Sequence, residues 1–548
     1  LALMRAVGAT PRQIRRLAAT QATIIAVPAM VPGVAVGYLL AGQFRELMVS
    51  TGLLPAGLPL TISPLPAVAA LLLLVVVVQV SARCTAWRTS HIPPTEAVAE
   101  SRSEPRTPSK FRGRAGMLLL VVANVIAVGP LLDRSQIAAT TTALAGIIAA
   151  IGLALAGPAL VGRISLLLAR KLPARTSAPT WLAVANSHGY ALRVSAAITT
   201  LAMAVVFTLT YTFTQTTIVE ATSSDISASS RAQASMSAPE LGGLPDDTLA
   251  AVQATPGVRA AVPITTTTVL WPHQRFGNTE VDSSSALILT SAAPAVLDLD
   301  VQTGNLADLT GNTVAVEAGL AGSRDAAVGR EVSLILGDGA NIKARVIATY
   351  ARGLAFGPVA LSHDLAAGHT TTALDQSILI RTDGTAAAQH NLAQLAAARP
   401  GLRFSDNTAP SSSNAVSPEL WVNVAVLAVL LGYLLLGIGN KLVASTVQRR
   451  NELATLQLIG ATARQIRAMI RREAALITAV ALITGVLLSA IPVALLSIGF
   501  LNRPWPAGPT WLLPLIAVVV AAIAFLTTEL PTRQVLRTPP IEARTDER

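Results

Sequence analysis

The sequence predicts a polytopic α-helical membrane protein with one extracytoplasmic α+β domain. Three observations predict it. Hydrophobic residues make up 52% of the chain and charged residues 13%, about half the charged share of a soluble domain. Eight apolar runs without a charge lie at 17–41, 64–82, 116–132, 137–162, 195–217, 420–440, 474–500 and 510–528, and most have the roughly 20 residues that cross a bilayer. A long polar stretch, 218–415, separates the fifth run from the sixth.

The distribution of charge orients the runs. With the start in the cytoplasm, 27 of the 41 Lys and Arg fall in inner segments, and the three short outer loops hold only Arg45, Arg134 and Arg503. That is the pattern of positive residues inside. Trp87 then sits at the inner boundary and Trp421, Trp505 and Trp511 at the outer one, as interfacial anchors do. The net charge of +11 is therefore a topology signal, and no nucleic-acid partner is expected. Run 116–132 is short and contains Asn124; it is expected to pair with 137–162 as a hairpin turning at Asp133-Arg134-Ser135. The single cysteine, Cys84, forms no intramolecular disulfide and is read as a small buried apolar residue.

The stretch 218–415 follows an odd-numbered span, so it faces the outside. It is long enough for a domain of its own. Ser-rich segments at 222–237 and 409–417 read as linkers or polar stalks. Strands are expected at 258–270, 286–291, 313–317, 331–336, 343–350 and 377–381, with a hairpin through Gly337-Asp338-Gly339-Ala340-Asn341. Helices are expected at 246–254 and 385–398. The Ser-, Arg-, Pro- and Glu-rich stretch 99–114 reads as a cytoplasmic linker between two halves. The remaining boundaries follow: 1–98 closes a first unit, 115–194 holds two connecting spans, and 416–548 forms the second unit.

A sixteen-residue phrase occurs twice. LALMRAVGATPRQIRR (1–16) and LATLQLIGATARQIRA (453–468) share nine identities, and each leads into an apolar run. In the second copy Leu453, Leu456 and Ile459 form an apolar stripe. Gly460, like Gly8, permits a backbone turn, and Thr462 is placed to cap the helix that follows. Arg464, Arg467 and Arg471 line one face and Ile466 and Ile470 another. This suits a helix lying flat on the inner membrane surface.

RRNELATLQLIGATARQIRAMIRREAAL (449–476) resembles the cytoplasmic segment of FtsX-like permeases, also called MacB-type or type VII ABC transporter permeases. The family pattern of acid, Gly-Ala-Thr turn, Arg-rich helix and Glu is met by Glu452, Gly460-Ala461-Thr462, Arg464/Arg467 and Glu473. The first copy supplies Gly8, Thr10, Arg12 and Arg15, with Gln21 in place of the Glu. Both halves end alike, in Pro93-Pro94-Thr95-Glu96-Ala97 and Pro539-Pro540-Ile541-Glu542-Ala543. The resemblance implies ten spans in the intact chain, of which eight are visible. Since the sequence begins at Leu1 inside the motif, we expect it to continue upstream. It also implies that these segments contact a separate cytoplasmic ATPase, expected as a pair of subunits, whose ATP hydrolysis moves the spans and the external domain for export, extraction or mechanotransmission.

No GxxxxGK[ST], GxSxG, HExxH or CxxC occurs. The chain is therefore expected to be no enzyme and to hold no cofactor or metal, with ATP on the partner and lipids around the spans. The six histidines show no ligand spacing. The uncharged spans argue against an ion-coupled carrier, which keeps an ionisable group in the membrane. A membrane sensor binding an external ligand, such as a peptide antibiotic, is the alternative reading.

Overall fold

A computed structural model describes residues 8–50, 63–91, 110–132, 136–171, 191–275, 278–370, 375–406 and 455–535, with isolated positions between them. The transmembrane helices are α1 (Pro11–Ser50), α2 (Pro64–His91), α3 (Lys110–Ile126), α4 (Gln136–Lys171) and α5 (Ala191–Ser229). After the external domain, which carries α6 (Asp247–Gln253) and α7 (Ala386–Ala397), come α8 (Ala463–Leu501) and α9 (Leu512–Val535). Among the described residues seven helices are long and apolar enough to cross a membrane, counting α3 with its extension to Leu132. They match seven of the eight apolar runs; the run 420–440, with Trp421, lies largely outside the described residues, as does the turn 133–135.

Several helices outrun the apolar segments that announce them. α1 has 40 residues and α5 and α8 have 39 each. At 1.5 Å per residue that is nearly 60 Å, about twice the ~30 Å hydrocarbon layer. Arg, Gln, Glu and Ala are good helix formers, so an apolar run ends at its first charge while the helix continues. Two corrections follow from this. Of the two readings of 222–237, linker or polar stalk, the linker is overturned: α5 runs to Ser229 as a helical stalk and a strand follows at Ala234–Ser237. Residues 110–114 open α3 rather than close a flexible linker; 99–109 and 409–417 lie outside the described residues. A third correction concerns Cys84, which is exposed on α2.

α3, α4, α5, α8 and α9 pack into one bundle. Leu153, Leu201, Leu209, Ile477 and Ile516 are buried at its centre. Gly485 lets α8 approach Val205 of α5, where a Cβ would overlap the valine side chain. α1 and α2 form a hairpin, tied by Gln79 Nε2 donating to Thr23 Oγ1 at 2.7 Å. Their apolar side chains, such as Leu39, Leu72 and Val76, are exposed, as lipid-facing residues are.

The external domain is a mixed sheet with helices on its flanks. Its strands are β1 (Ala234–Ser237), β2 (Val258–Arg275), β3 (Asn278–Leu289), β4 (Val301–Gly304), β5 (Thr313–Glu317), β6 (Glu331–Ile335), β7 (Asn341–Tyr350), β8 (Val359–Ser362), β9 (Ser377–Thr382) and β10 (Arg403–Asp406). Their order is β10-β1-β9-β2-β3-β8-β5-β7-β4, with β6 pairing both β2 and β7. β2 bends between partners: Val258 to Ile264 pair with β9, and Thr265 to Arg275 pair with β3. Four strands escape sequence reading, β1, β4, β8 and β10. Each has four residues, too few for an alternating pattern to declare itself.

Candidate functional site

From the glycine onward, the duplicated phrase folds alike in both copies. In the second copy, residues 455–458 make a short helical turn that stops at Gly460, whose φ is 98°. The Gly460 N–H donates to the Gln457 carbonyl and the Ala461 N–H to that of Leu456, both at 3.0 Å. These are the paired bonds of a glycine-terminated helix end, and the usual apolar contact accompanies them: Leu456 and Ala461 pack on Ile466, Met469 and Ile470. Nothing lies within 4 Å of a Cβ at Gly460 or Gly8. Glycine serves here through its positive φ alone, 98° and 101°.

A capping box then starts each long helix. The Gln465 N–H donates to Thr462 Oγ1 at 3.3 Å, and the Thr462 N–H donates to Gln465 Oε1 at 2.9 Å. In the first copy the matching bonds join Thr10 and Gln13 at 3.3 and 2.8 Å. Arg467 Nε reaches back to the Ala463 carbonyl at 3.3 Å, as Arg15 Nε does to that of Pro11. Ile466 and Ile14 are buried to the same degree, at 2% and 1% exposure.

The structure thus brings Gly460, Thr462, Arg464 and Arg467 together, and likewise Gly8, Thr10, Arg12 and Arg15. Arg464 and Arg12 are exposed, and Arg467 and Arg15 partly so. It does not bring Glu473 to them. Glu473 lies on the buried stripe with Ile466, Ile470 and Ile477, while Gln21, its counterpart, is exposed. Glu452, Leu453 and residues 1–7 lie outside the described residues. Two expectations are corrected. Ile459 is not part of an inward stripe; it is 78% exposed, beside Leu458 at 54%. The arginine helix does not lie flat as a separate element, because it is the first part of α8 and has no break before the span.

Sequence reading missed three groups. Leu458 and Ile459 add an apolar tip next to Arg464. Glu529, just past the last apolar run, accepts from Arg471 Nε and Nη2 at 3.1 and 2.9 Å and from Arg533 Nε at 3.1 Å; its place four residues before Arg533 was the available signal. The third group fastens the external domain to α5. Arg352 Nη1 donates to the carbonyls of Asp298 at 2.6 Å and Ala228 at 3.4 Å, and the Asp298 N–H donates to that of Ser229 at 2.8 Å. Arg231 Nη2 pairs with Asp298 Oδ2 at 2.9 Å. The Asp300 N–H, with Arg231 and Arg352, holds the Asp298 carboxyl below its ordinary range.

Beside this junction Leu354 of the domain packs into a cluster of Ala139, Ala221, Leu496 and Phe500, from the outer ends of α4, α5 and α8. The domain histidines are engaged locally: His369 Nδ1 lies 2.6 Å from Asp338 Oδ2, and His273 lies between Glu280 and Asp282 at 3.8 and 3.7 Å. No cluster of three or more metal-ligating side chains occurs among the described residues.

The FtsX-like permease C-terminal family model matches residues 1–94 and 424–540. Among solved structures, the periplasmic region of MacB from Actinobacillus actinomycetemcomitans is 10% identical, with a TM-score of 0.26, covering 34% of this chain and 95% of that one. The extracellular domain of the noncanonic ABC-type transporter YknZ from Gram-positive bacteria is 13% identical, with a TM-score of 0.24, covering 30% and 89%. A domain of a putative permease protein from Porphyromonas gingivalis is 13% identical, with a TM-score of 0.25, covering 34% and 97%. A comparison with curated proteins returned no match. With a segment at each end, 1–94 and 424–540, that matches the FtsX-like permease C-terminal family model, apolar spans between them and a sheet domain outside, the chain is a multi-pass cell-membrane protein whose two ends are similar to FtsX-like permeases.

Proposed function

We propose that the chain couples ATP hydrolysis by a separate cytoplasmic ATPase to movement of its spans and external domain. The movement would serve export or extraction of a lipid, lipoprotein or peptide, or mechanotransmission. One observation carries the reading. α8 is a single helix that starts at the exposed Arg464 and ends where Leu496 and Phe500 meet Ala221 of α5 and Leu354 of the domain. A helix is stiff along its axis because its turns are bonded to one another, and α8 runs unbroken to Leu501 although Pro492 leaves one of those bonds out. A displacement at the Gly460–Thr462 turn therefore arrives at the foot of the external domain. The exposed pair Leu458-Ile459 with flanking arginines is the composition of a protein-docking tip, an apolar centre with a charged rim. The first turn, with Gly8, Thr10, Arg12 and Arg15, offers a second ATPase subunit the same shape.

The test is charge reversal at Arg464 and Arg467 together. Purified wild-type chain is expected to retain an ATPase of the P-loop class and to stimulate its hydrolysis. Arg464→Glu with Arg467→Glu is expected to abolish both while the protein still inserts in the membrane. Unchanged stimulation by that double variant would refute the assignment.

A further inference from the structure

From the glycine through the capping box the two turns make the same bonds, but the helices that follow diverge. Arg471, about two turns into α8, makes a forked pair with Glu529 near the end of α9, at 2.9 and 3.1 Å. Arg533 adds a third bond at 3.1 Å. The Glu529 side chain is 13% exposed, against 53% for each arginine. A forked arginine–carboxylate pair fixes direction as well as distance, so the start of α8 is fastened to the end of α9.

The first repeat lacks the parts. The lever phrase sets α1 against α8, and the Pro-Pro-x-Glu-Ala tails set α2 against α9. Under that correspondence Arg471 answers to Ala19, and Glu529 to Arg83. The register of the α1–α2 hairpin agrees independently. Thr23 bonds Gln79, which puts Ala19 opposite Arg83 one turn closer to the cytoplasm on these antiparallel helices. Ala19 and Ala86 are buried, with 2% and 4% exposure. Where the second repeat has an arginine facing a carboxylate, the first has the small Ala19 and an exposed Arg83.

We infer that Glu529 is a positioning residue that locks the second lever to its span, and that the described residues give the first lever no such lock. The inference rests on the lever role proposed above. A push on the second turn moves α8 and α9 as one body. Among the described residues, the same push on the first turn meets apolar contacts and the neutral hydrogen bonds of Gln79 to Thr23 and of Tyr38 to the Ser63 carbonyl, with no forked ion pair, so α1 yields relative to α2. Two like subunits pushing from the cytoplasm would then drive the halves unequally, and the strongly driven half is the one whose α8 reaches the external domain.

Hydrogen exchange on the whole chain in lipid nanodiscs tests the lock without any ATPase. A failure of ATPase docking therefore leaves this measurement readable, and a failure here leaves docking untouched. Amides of 463–472 are expected to exchange about tenfold more slowly than those of 11–20, the scale of a charge-assisted hydrogen bond. Glu529→Gln, and separately Arg471→Gln at a half-exposed side chain, should each raise exchange in 463–472 to the level of 11–20. Both should leave 512–524 unchanged. Exchanging the pair, Arg471→Glu with Glu529→Arg, should restore protection. The inference is overturned if the two wild-type levers exchange alike, if neither single variant loosens 463–472, if 512–524 loosens equally, or if the exchanged pair stays as loose as the singles.

Discussion

Neutralising Asp298 isolates the joint between the transmembrane stalk and the external domain. In Asp298→Asn the side chain keeps an oxygen for the Asp300 N–H, which it accepts at 3.0 Å, but loses its charge opposite Arg231 and Arg352. A desolvated pair of this kind would be worth up to about 3 kcal/mol. Here the side chains of Asp298 and Arg231 are 37% and 50% exposed, so solvent screening lowers the effect to about 1 kcal/mol. For a domain the size of 230–406, that corresponds to a fall of about 2–4 °C in Tm. Trp271 is buried in the sheet at 5% exposure. With the other five tryptophans replaced by Phe, its fluorescence follows unfolding of the domain alone. The pH dependence fixes the sign. The folded carboxyl titrates below its ordinary value of 3.8. Its contribution is therefore complete above that value and is lost as the pH falls through the folded one. The gap between wild type and Asp298→Asn should be full at pH 7 and narrow as the pH falls below 3.8. A gap that does not narrow below 3.8, or no gap at pH 7, refutes the reasoning.

Two further outcomes are expected. Gly460→Ala places a Cβ in open space but at a φ of 98°, so it should cost about 1–2 kcal/mol of turn stability without disturbing the bundle, and Gly8→Ala should match it; exchange of the 460–466 and 8–14 amides measures both, and a negligible change would mean that the turn needs no glycine. Leu354→Asp puts a carboxylate among Ala221, Leu496 and Phe500 and should leave ATPase docking intact while abolishing transport or signalling, whereas retained output would show that the stroke takes another route.

The spans were legible because lipid admits so few solutions: an uncharged run of about 20 residues must be a helix. Their true lengths were not, since the cytoplasmic part of α8 and the stalk part of α5 are written in ordinary helix-forming residues that hydropathy ignores. The turn was legible at Gly460 and Thr462, where one residue type answers one backbone demand. Ile459 was misjudged because a three-residue spacing looks like an apolar face only while the helix lasts, and this one stops at Gly460. The junction of Arg231, Asp298 and Arg352 was out of reach. Its bonds go largely to backbone carbonyls 54 to 124 residues away, and a carbonyl leaves no mark on the sequence.

The pattern of likeness and difference between the repeats bears on what each part touches. Thr10 and Thr462, Gln13 and Gln465, Arg15 and Arg467, and Ile14 and Ile466 agree in residue type, and their bonds agree to within about 0.1 Å. Agreement that close in two differently packed neighbourhoods is expected of parts that meet the same outside surface twice. Two turns further along, Ala19 stands for Arg471, Gln21 for Glu473 and Arg83 for Glu529. Glu473 and Glu529 face the chain itself, while Gln21 and Arg83 are exposed, and the neighbours differ: α8 is packed into the bundle against α5, while the apolar side chains of α1 remain exposed. The docking role proposed above would account for the constancy of the turn through a common contact, and unequal internal surroundings account for the divergence behind it. Were the turns merely membrane anchors, their lipid surroundings would ask only for positive charge and some apolar surface, which Lys and Leu in many orders supply. Lipid sets no requirement for a glycine at positive φ followed by a threonine–glutamine capping box at both ends of the chain; a shaped protein surface does.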